Sequence, residues 1–189
     1  MNTAAHVSCS VVIATLDRVE SLRVVLDCLQ AQTRPPLEIL IAVAGDPSAL
    51  TAHLATRPPG IPTRLVESAV KSSALQRNQA AELASADVIV FLDDDIEFAG
   101  DLFARVLAHF DRMSDGELGA LSPRIANTGR DAPGRLTLWY YRLQAGYPDP
   151  DYGGRLFGPG INCFPVFSSQ GPELVRSDWL PSTCLFMRC

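Results

Sequence analysis

Two hydrophobic patterns alternate along the first two thirds of this chain. Val7 to Ala14 is a short apolar run rich in Val and Ile that ends in a polar turn, and it predicts a buried strand. Leu22, Val25, Leu26 and Leu29 then recur at helical spacing, one buried face of a helix. Asp17 is positioned to cap that helix, with Glu20 three residues on as a capping-box partner. Arg34-Pro35-Pro36 stops it. Glu38 to Val43 reads as a second strand, apolar enough to be covered on both faces. A turn at 44–48 leads into a short helix ending near Thr56, and the Pro-rich segment from Arg57 to Pro62 is loop. Arg64 to Glu67 is a short strand, Ser73 to Ser85 a helix, and Val88 to Leu92 a strong strand. Leu102, Phe103, Val106, Leu107 and Phe110 form another helical apolar face, with Asp101 at its start, and Leu118 to Ser122 is a further strand.

Strand and helix thus alternate from residue 7 to 122. This predicts an α/β fold, a three-layer sandwich in which helices cover both faces of a mostly parallel sheet. Ligands of such sheets bind beyond the carboxyl ends of the strands, so the turn after the first strand, the Asp46 turn and the Asp93 cluster are expected on one edge. After Arg130 helical periodicity disappears. Residues 131–178 hold nearly half of the chain's glycines and prolines, with Trp139, Tyr140, Tyr141, Tyr147, Tyr152, Phe157, Phe164 and Phe167 interspersed. This part is expected to be a loop-rich region folded against the sheet edge, and Thr183 to Met187 a closing strand.

Composition narrows the function. With 189 residues, 47% of them apolar and 20% charged, the chain can bury a core and is not disordered as a whole. Its net charge of −5 argues against a nucleic-acid partner, because phosphate backbones demand a basic face. No run of 18 apolar residues offers a transmembrane helix, and the segment from Met1 to His6 does not match a secretory signal. The five cysteines, Cys9, Cys28, Cys163, Cys184 and Cys189, form no CxxC pair. They suit a reduced, cytoplasmic chain with buried thiols. His6, His53 and His109 lack zinc-ligand spacing.

The sharpest chemical feature is Phe91-Leu92-Asp93-Asp94-Asp95, three consecutive carboxylates at the end of a buried strand. Their mutual repulsion calls for a cation or a set of donors. Hard oxygen ligands suit magnesium or manganese, which in turn bridge phosphate oxygens. An acidic loop facing solvent is the plainer alternative. Upstream, Lys71 and Arg77-Asn78 could approach the triplet and pair with it or with phosphate. Ala14-Thr15-Leu16-Asp17-Arg18 forms the turn over which a nucleotide could sit. The chain has no GxGxxG after its first strand, no GxxxxGK[ST] and no GxSxG, so dehydrogenase, P-loop and hydrolase readings lose their support.

Taken together, the chain resembles the family 2 glycosyltransferases of the GT-A fold. The resemblance rests on an ordered set: Ser10-Val11-Val12-Ile13-Ala14-Thr15 with Arg18, Leu29-Gln30-Ala31-Gln32-Thr33, Pro36-Leu37-Glu38-Ile39, Gln76-Arg77-Asn78 before an Ala-rich helix, and Val90-Phe91-Leu92-Asp93-Asp94-Asp95. It covers residues 7 to about 110 and continues more faintly from Trp179 to Arg188, which looks like an acceptor-side segment. It implies an inverting transferase that moves a sugar from a nucleotide-diphospho-sugar to a hydroxyl of a carbohydrate or lipid-linked acceptor, using Mn2+ or Mg2+. Residues 1–130 would form the nucleotide-sugar-binding α/β part, and 131–189 a loop-rich, incomplete acceptor-side part of the same domain. Asp95 would ligate the metal, Asp93 the ribose or a metal-linked water. Thr15, Arg18, Asp46, Lys71, Arg77 and Asp94 would line the nucleotide. The implied setting is polysaccharide assembly in the cytoplasm or peripherally at the inner face of the membrane. A non-catalytic nucleotide-binding or interaction module is the alternative. A sugar nucleotidylyltransferase would need a Gly-rich basic loop where Thr15 to Glu20 stands.

The chain departs from the family pattern at two places. Ala44 aligns with the acid that usually ends strand two, and Asp46 follows two positions later. The family's Glu-Asp pair, whose Asp is the catalytic base, follows the stretch that here ends at Cys189, and no Glu-Asp pair occurs in the sequence. The catalytic base is therefore unassigned, with Asp149, Asp151 and Asp178 as substitutes, and transfer by these residues alone is not expected. A closing strand at the terminus would also leave an open sheet edge and favour self-association.

Overall fold

The first apolar run forms β1 (Cys9–Thr15), and the helical face after it forms α1 (Val19–Gln30). They are followed by β2 (Glu38–Val43), α2 (Ser48–Thr56), β3 (Thr63–Glu67), α3 (Ser73–Ala81), β4 (Val88–Leu92), α4 (Leu102–Arg112) and the two-residue β5 (Ala120–Leu121). A hairpin of β6 (Leu156–Phe157) and β7 (Ile161–Asn162) precedes β8 (Cys184–Arg188). This computed structural model describes residues 6–114, 116–125, 134, 136–137, 139–140, 143, 154–157, 161–162 and 173–189. Among the predicted aromatics, Tyr141, Tyr147, Tyr152, Phe164 and Phe167 lie outside the described residues, as does Cys163. The chain divides into two compact units, residues 1–123 with 182–189, and residues 124–181.

In the first unit a six-stranded sheet runs β3-β2-β1-β4-β8-β5. The strands β3, β2, β1 and β4 are parallel, and β8 is antiparallel to both its neighbours. The order reverses at β1: the chain steps outward to β2 and β3, then crosses back to place β4 on the other side. This is the topological switch point, the place beyond the strands' carboxyl ends where ligands of such sheets bind. The alternation of side chains along β1 divides the core into two layers. Val11 and Ile13 pack with Leu22, Leu26, Phe103 and Phe110 from α1 and α4, and Val12 packs with Leu40, Ala42 and Ala80 on the α3 side. The three-layer arrangement is therefore as the periodicity predicts.

Three local readings are corrected. Asp17 does not cap α1: it adopts φ 52°, the cap position is Arg18, and no side chain bonds the helix end. A non-glycine residue at positive φ is uncommon. Glu20 pairs instead with Arg23, one turn on. The helix expected to reach Ser85 ends at Ala81. The strand at the end of the sequence is not at the sheet edge either, because β8 pairs with β4 on one side and β5 on the other.

The amino-terminal edge is fastened by Asp111. Its carboxylate accepts from Arg34 Nη1 (2.7 Å), Arg34 Nη2 (3.1 Å) and the Val7 amide (2.8 Å), and lies 3.1 Å from His6 Nδ1. Burial opposes ionisation of this group but is outweighed by those donors, so its pKa lies well below the ordinary carboxylate value. The stability this contributes is complete above the unfolded-state value of about 4 and is lost as pH falls toward the depressed native value. Asp111→Asn is expected to cost about 1–3 kcal/mol at pH 7. Urea denaturation should show the gap between wild type and variant narrowing at pH 3; an unchanged gap would mean that the charge contributes nothing.

Candidate functional site

The switch point brings together the turn after β1, the triplet after β4 and the first turns of α3. Asp94, only 7% exposed, accepts a hydrogen bond from the Thr15 hydroxyl at its Oδ2 (2.6 Å) and from Arg18 Nη1 at its Oδ1 (3.3 Å). The same Arg18 nitrogen bonds Asp95 Oδ2 (3.1 Å). Asp93 pairs with Arg77, and its amide donates to the Thr183 carbonyl (3.0 Å). The repulsion inherent in three adjacent carboxylates is thus relieved by two arginines and a hydroxyl.

Those partners differ in kind. Arg77 is mostly buried, and its Nε has no hydrogen-bond partner among the described residues. Arg18 is 58% exposed and reaches its two carboxylates from the solvent side. Asp95 is likewise half exposed, whereas Asp94 is enclosed. Burial and the charge of Asp93 push the Cys184 thiol, at the β8 position paired with Leu92, up to about 12, which keeps it protonated and inert.

Gln76 supports this arrangement from below. It is buried, and its Nε2 donates to the Thr15 and Ala42 carbonyls, each at 2.9 Å. The backbone bond there from the Ala44 amide to the Thr15 carbonyl is long, 3.4 Å, as β1 and β2 begin to separate. A second buried amide, Gln32, anchors the far end of the acidic loop. It donates to the Ala99 carbonyl (2.8 Å) and accepts from the Phe103 amide (3.0 Å) at the start of α4. Both glutamines stand in the motifs that carry the family resemblance, but neither is among the site residues read from the sequence; a further signal is a polar residue on a buried helix face, since Gln76 shares its face with Ala80.

Asp46 and Lys71 follow β2 and β3 in the first unit without joining this network. Asp46 Oδ1 accepts from the Ser48 amide (2.9 Å) and hydroxyl, and those bonds lower its pKa. The Asp17 side chain instead leans across to Gly45 at the end of β2, where a Cβ would lie 2.8 Å from its Oδ1. Gly45, at φ 142°, leaves that space open. Lys71 lies exposed in the connection after β3. In the second unit, Asp178 accepts from the Leu156 amide (3.1 Å) and Arg155 (3.4 Å). Asp149 and Asp151 lie outside the described residues.

No three His, Cys, Asp or Glu side chains are arranged to hold a metal by themselves among the described residues. Magnesium and manganese sites that serve phosphates do not need such a cage, since one or two carboxylates, waters and the phosphates complete them. Asp95, with its carboxylate half exposed, and the neighbouring Asp93 fit that donor set. Among the described residues no helix is long and apolar enough to cross a membrane.

Comparison with known proteins places this geometry in context. Residues 10–166 match the model of glycosyl transferase family 2. A mannosyltransferase from Pyrobaculum calidifontis, solved with GDP-Man and Mn2+, is 21% identical with a TM-score of 0.53, over 75% of this chain and 39% of that one. Residues 1–349 of TarS from S. aureus are 18% identical with a TM-score of 0.52, over 67% of this chain and 38% of that one. The same protein solved with UDP-GlcNAc is 19% identical with a TM-score of 0.51, over 67% and 37%. These likenesses show the fold, and the chain spans about two fifths of the length of each structure. No protein of curated function gives a significant sequence match.

Proposed function

This chain belongs to glycosyl transferase family 2, and from that premise we propose that it carries the donor site of a transferase that takes a nucleotide-diphospho-sugar together with Mn2+ or Mg2+. The observation that carries this reading is the convergence of Thr15, Arg18, Arg77 and the Asp93–Asp95 triplet at the switch point. The donors of the structural neighbours, GDP-Man and UDP-GlcNAc, support the substrate class.

In this reading the diphosphate lies over the exposed Asp95 and Arg18, with the N-terminus of α1 beside it, where backbone amides and the helix dipole favour anions. Asp95 holds the metal, Asp93 the ribose or a metal-linked water, and Thr15 keeps Asp94 in place beneath them. Arg77 holds Asp93, and Lys71 adds positive charge along the nucleotide. Asp46 Oδ1 is committed to Ser48, so base contact falls to its other oxygen. When bound, the metal supplies Lewis-acid stabilisation of the departing diphosphate. An inverting transfer then needs a base that deprotonates an acceptor hydroxyl as its oxygen bonds the anomeric carbon and the bond to the diphosphate breaks. Trp139 and Tyr140, 60% and 48% exposed in the second unit, offer ring faces on which an acceptor sugar could pack.

Calorimetric titration with UDP and GDP tests the donor site. Manganese should raise nucleotide affinity about tenfold or more over EDTA, and Asp95→Ala should abolish that enhancement. Equal affinity in manganese and EDTA would overturn the reading. Product analysis with UDP- and GDP-sugars then separates sugar transfer or release from binding alone.

A further inference from the structure

We propose that Arg18 is an exchangeable counter-ion: it neutralises Asp94 and Asp95 until the divalent cation arrives at Asp95, and then turns its guanidinium to the donor diphosphate. The inference rests on the donor-site reading above and assigns a specific role to one residue within it.

Three observations carry it. A single nitrogen of Arg18 bridges Asp94 Oδ1 and Asp95 Oδ2, at 3.3 and 3.1 Å, so the guanidinium occupies the Asp95 oxygen that a metal held there would need. Its other N–H groups take no partner among the described residues, and the side chain is 58% exposed, so release requires little repacking. The second arginine of the site is different: Arg77 is mostly buried against Asp93 and is the permanent partner.

Release of Arg18 without a replacement is unfavourable. Asp94 is nearly enclosed, and loss of the arginine leaves its Oδ1 without the one charged donor it has among the described residues, while Oδ2 stays on Thr15. An arriving cation at Asp95 removes that penalty. The freed guanidinium, still tethered at the first turn of α1, can then offer paired N–H donors to phosphate oxygens, a geometry that suits arginine better than lysine. Metal and diphosphate binding are thereby coupled through one side chain, which leaves the first as it engages the second.

The consequence is a pair of effects of opposite sign. Mn2+ affinity of the nucleotide-free protein can be read by electron paramagnetic resonance of free Mn2+, and UDP or GDP affinity at saturating Mn2+ by calorimetry. Arg18→Gln should raise Mn2+ affinity about two- to fivefold, the range expected when an exposed competing ion pair is removed. It should lower nucleotide affinity in Mn2+ about fivefold or more, as a charge-assisted phosphate contact is lost. Arg18→Lys, which keeps the charge, should leave Mn2+ affinity near wild type and recover only part of the nucleotide affinity. Unchanged or weakened Mn2+ binding by Arg18→Gln would overturn the exchange, as would an unchanged nucleotide affinity. Asp95→Ala serves as the separate control. If wild type binds Mn2+ and nucleotide, and Asp95→Ala loses both, the donor site stands whatever Arg18 does; if wild type binds neither, both proposals fall.

Discussion

Phe186→Ala is expected to lower the free energy of unfolding by about 3–5 kcal/mol, the range for deleting a buried aromatic ring. Phe186 is fully buried at the middle of β8, the one reversed strand of the sheet. Its ring meets Phe103 edge-on, with centroids 5.2 Å apart, and Phe103 stacks on Phe98 at 5.9 Å. Phe98 belongs to the loop that begins with the acidic triplet, so this ladder runs from β8 through α4 to that loop. The ring pairing adds about 0.5–1.5 kcal/mol to the area buried. Typical domain stabilities are about 5–15 kcal/mol, so the variant should unfold at a much lower urea concentration. Phe186→Leu, which keeps most of the volume, should cost about 1.5 kcal/mol or less. Equal losses for the two variants would show that ring packing is not what holds β8.

The elements of the first unit were legible because each is written locally. The apolar runs of β1, β2 and β4 and the helical faces of α1 and α4 need no distant partner to be recognised. What the sequence did not disclose depends on contacts between distant residues. The run at Cys184–Arg188 announces a strand, but only the register Leu92↔Cys184 and Leu121↔Phe186 places it between β4 and β5. Asp17 carries a good cap residue and a capping-box partner, yet the turn it occupies takes positive φ and turns its carboxylate toward Gly45. The triplet was conspicuous as charge. Which acid is buried, which is exposed and which arginine belongs to which depends on β1 meeting α3 and β4, which follow it by some 60 to 80 residues of chain. Gln32 and Gln76 belong to motifs that carry the family resemblance, but their task is legible only in the carbonyls that each buried amide satisfies.

Arg77→Met is expected to destabilise the fold by about 2–3 kcal/mol and to weaken nucleotide binding in manganese. Removing one partner of a buried ion pair costs about 3–5 kcal/mol. The lower figure applies here because the Asp93 side chain keeps a third of its surface exposed. Without Arg77, Asp93 would face Asp94 and Asp95 with no cation of its own, and the triplet's repulsion would return. Part of the arginine's own burial is unfavourable, since its Nε lies without a partner among the described residues. Neutralising both partners separates these contributions. Arg77→Met combined with Asp93→Asn should recover most of the stability lost by Arg77→Met alone, because no unpaired charge remains. It should not recover nucleotide binding if Asp93 also contacts the donor. A double-mutant cycle in urea, with calorimetry on the same four proteins, reads both quantities. Additive stability losses would show that the Arg77–Asp93 pair is not coupled, and restored nucleotide affinity in the double variant would remove Asp93 from the donor site and leave it the single task of holding Arg77.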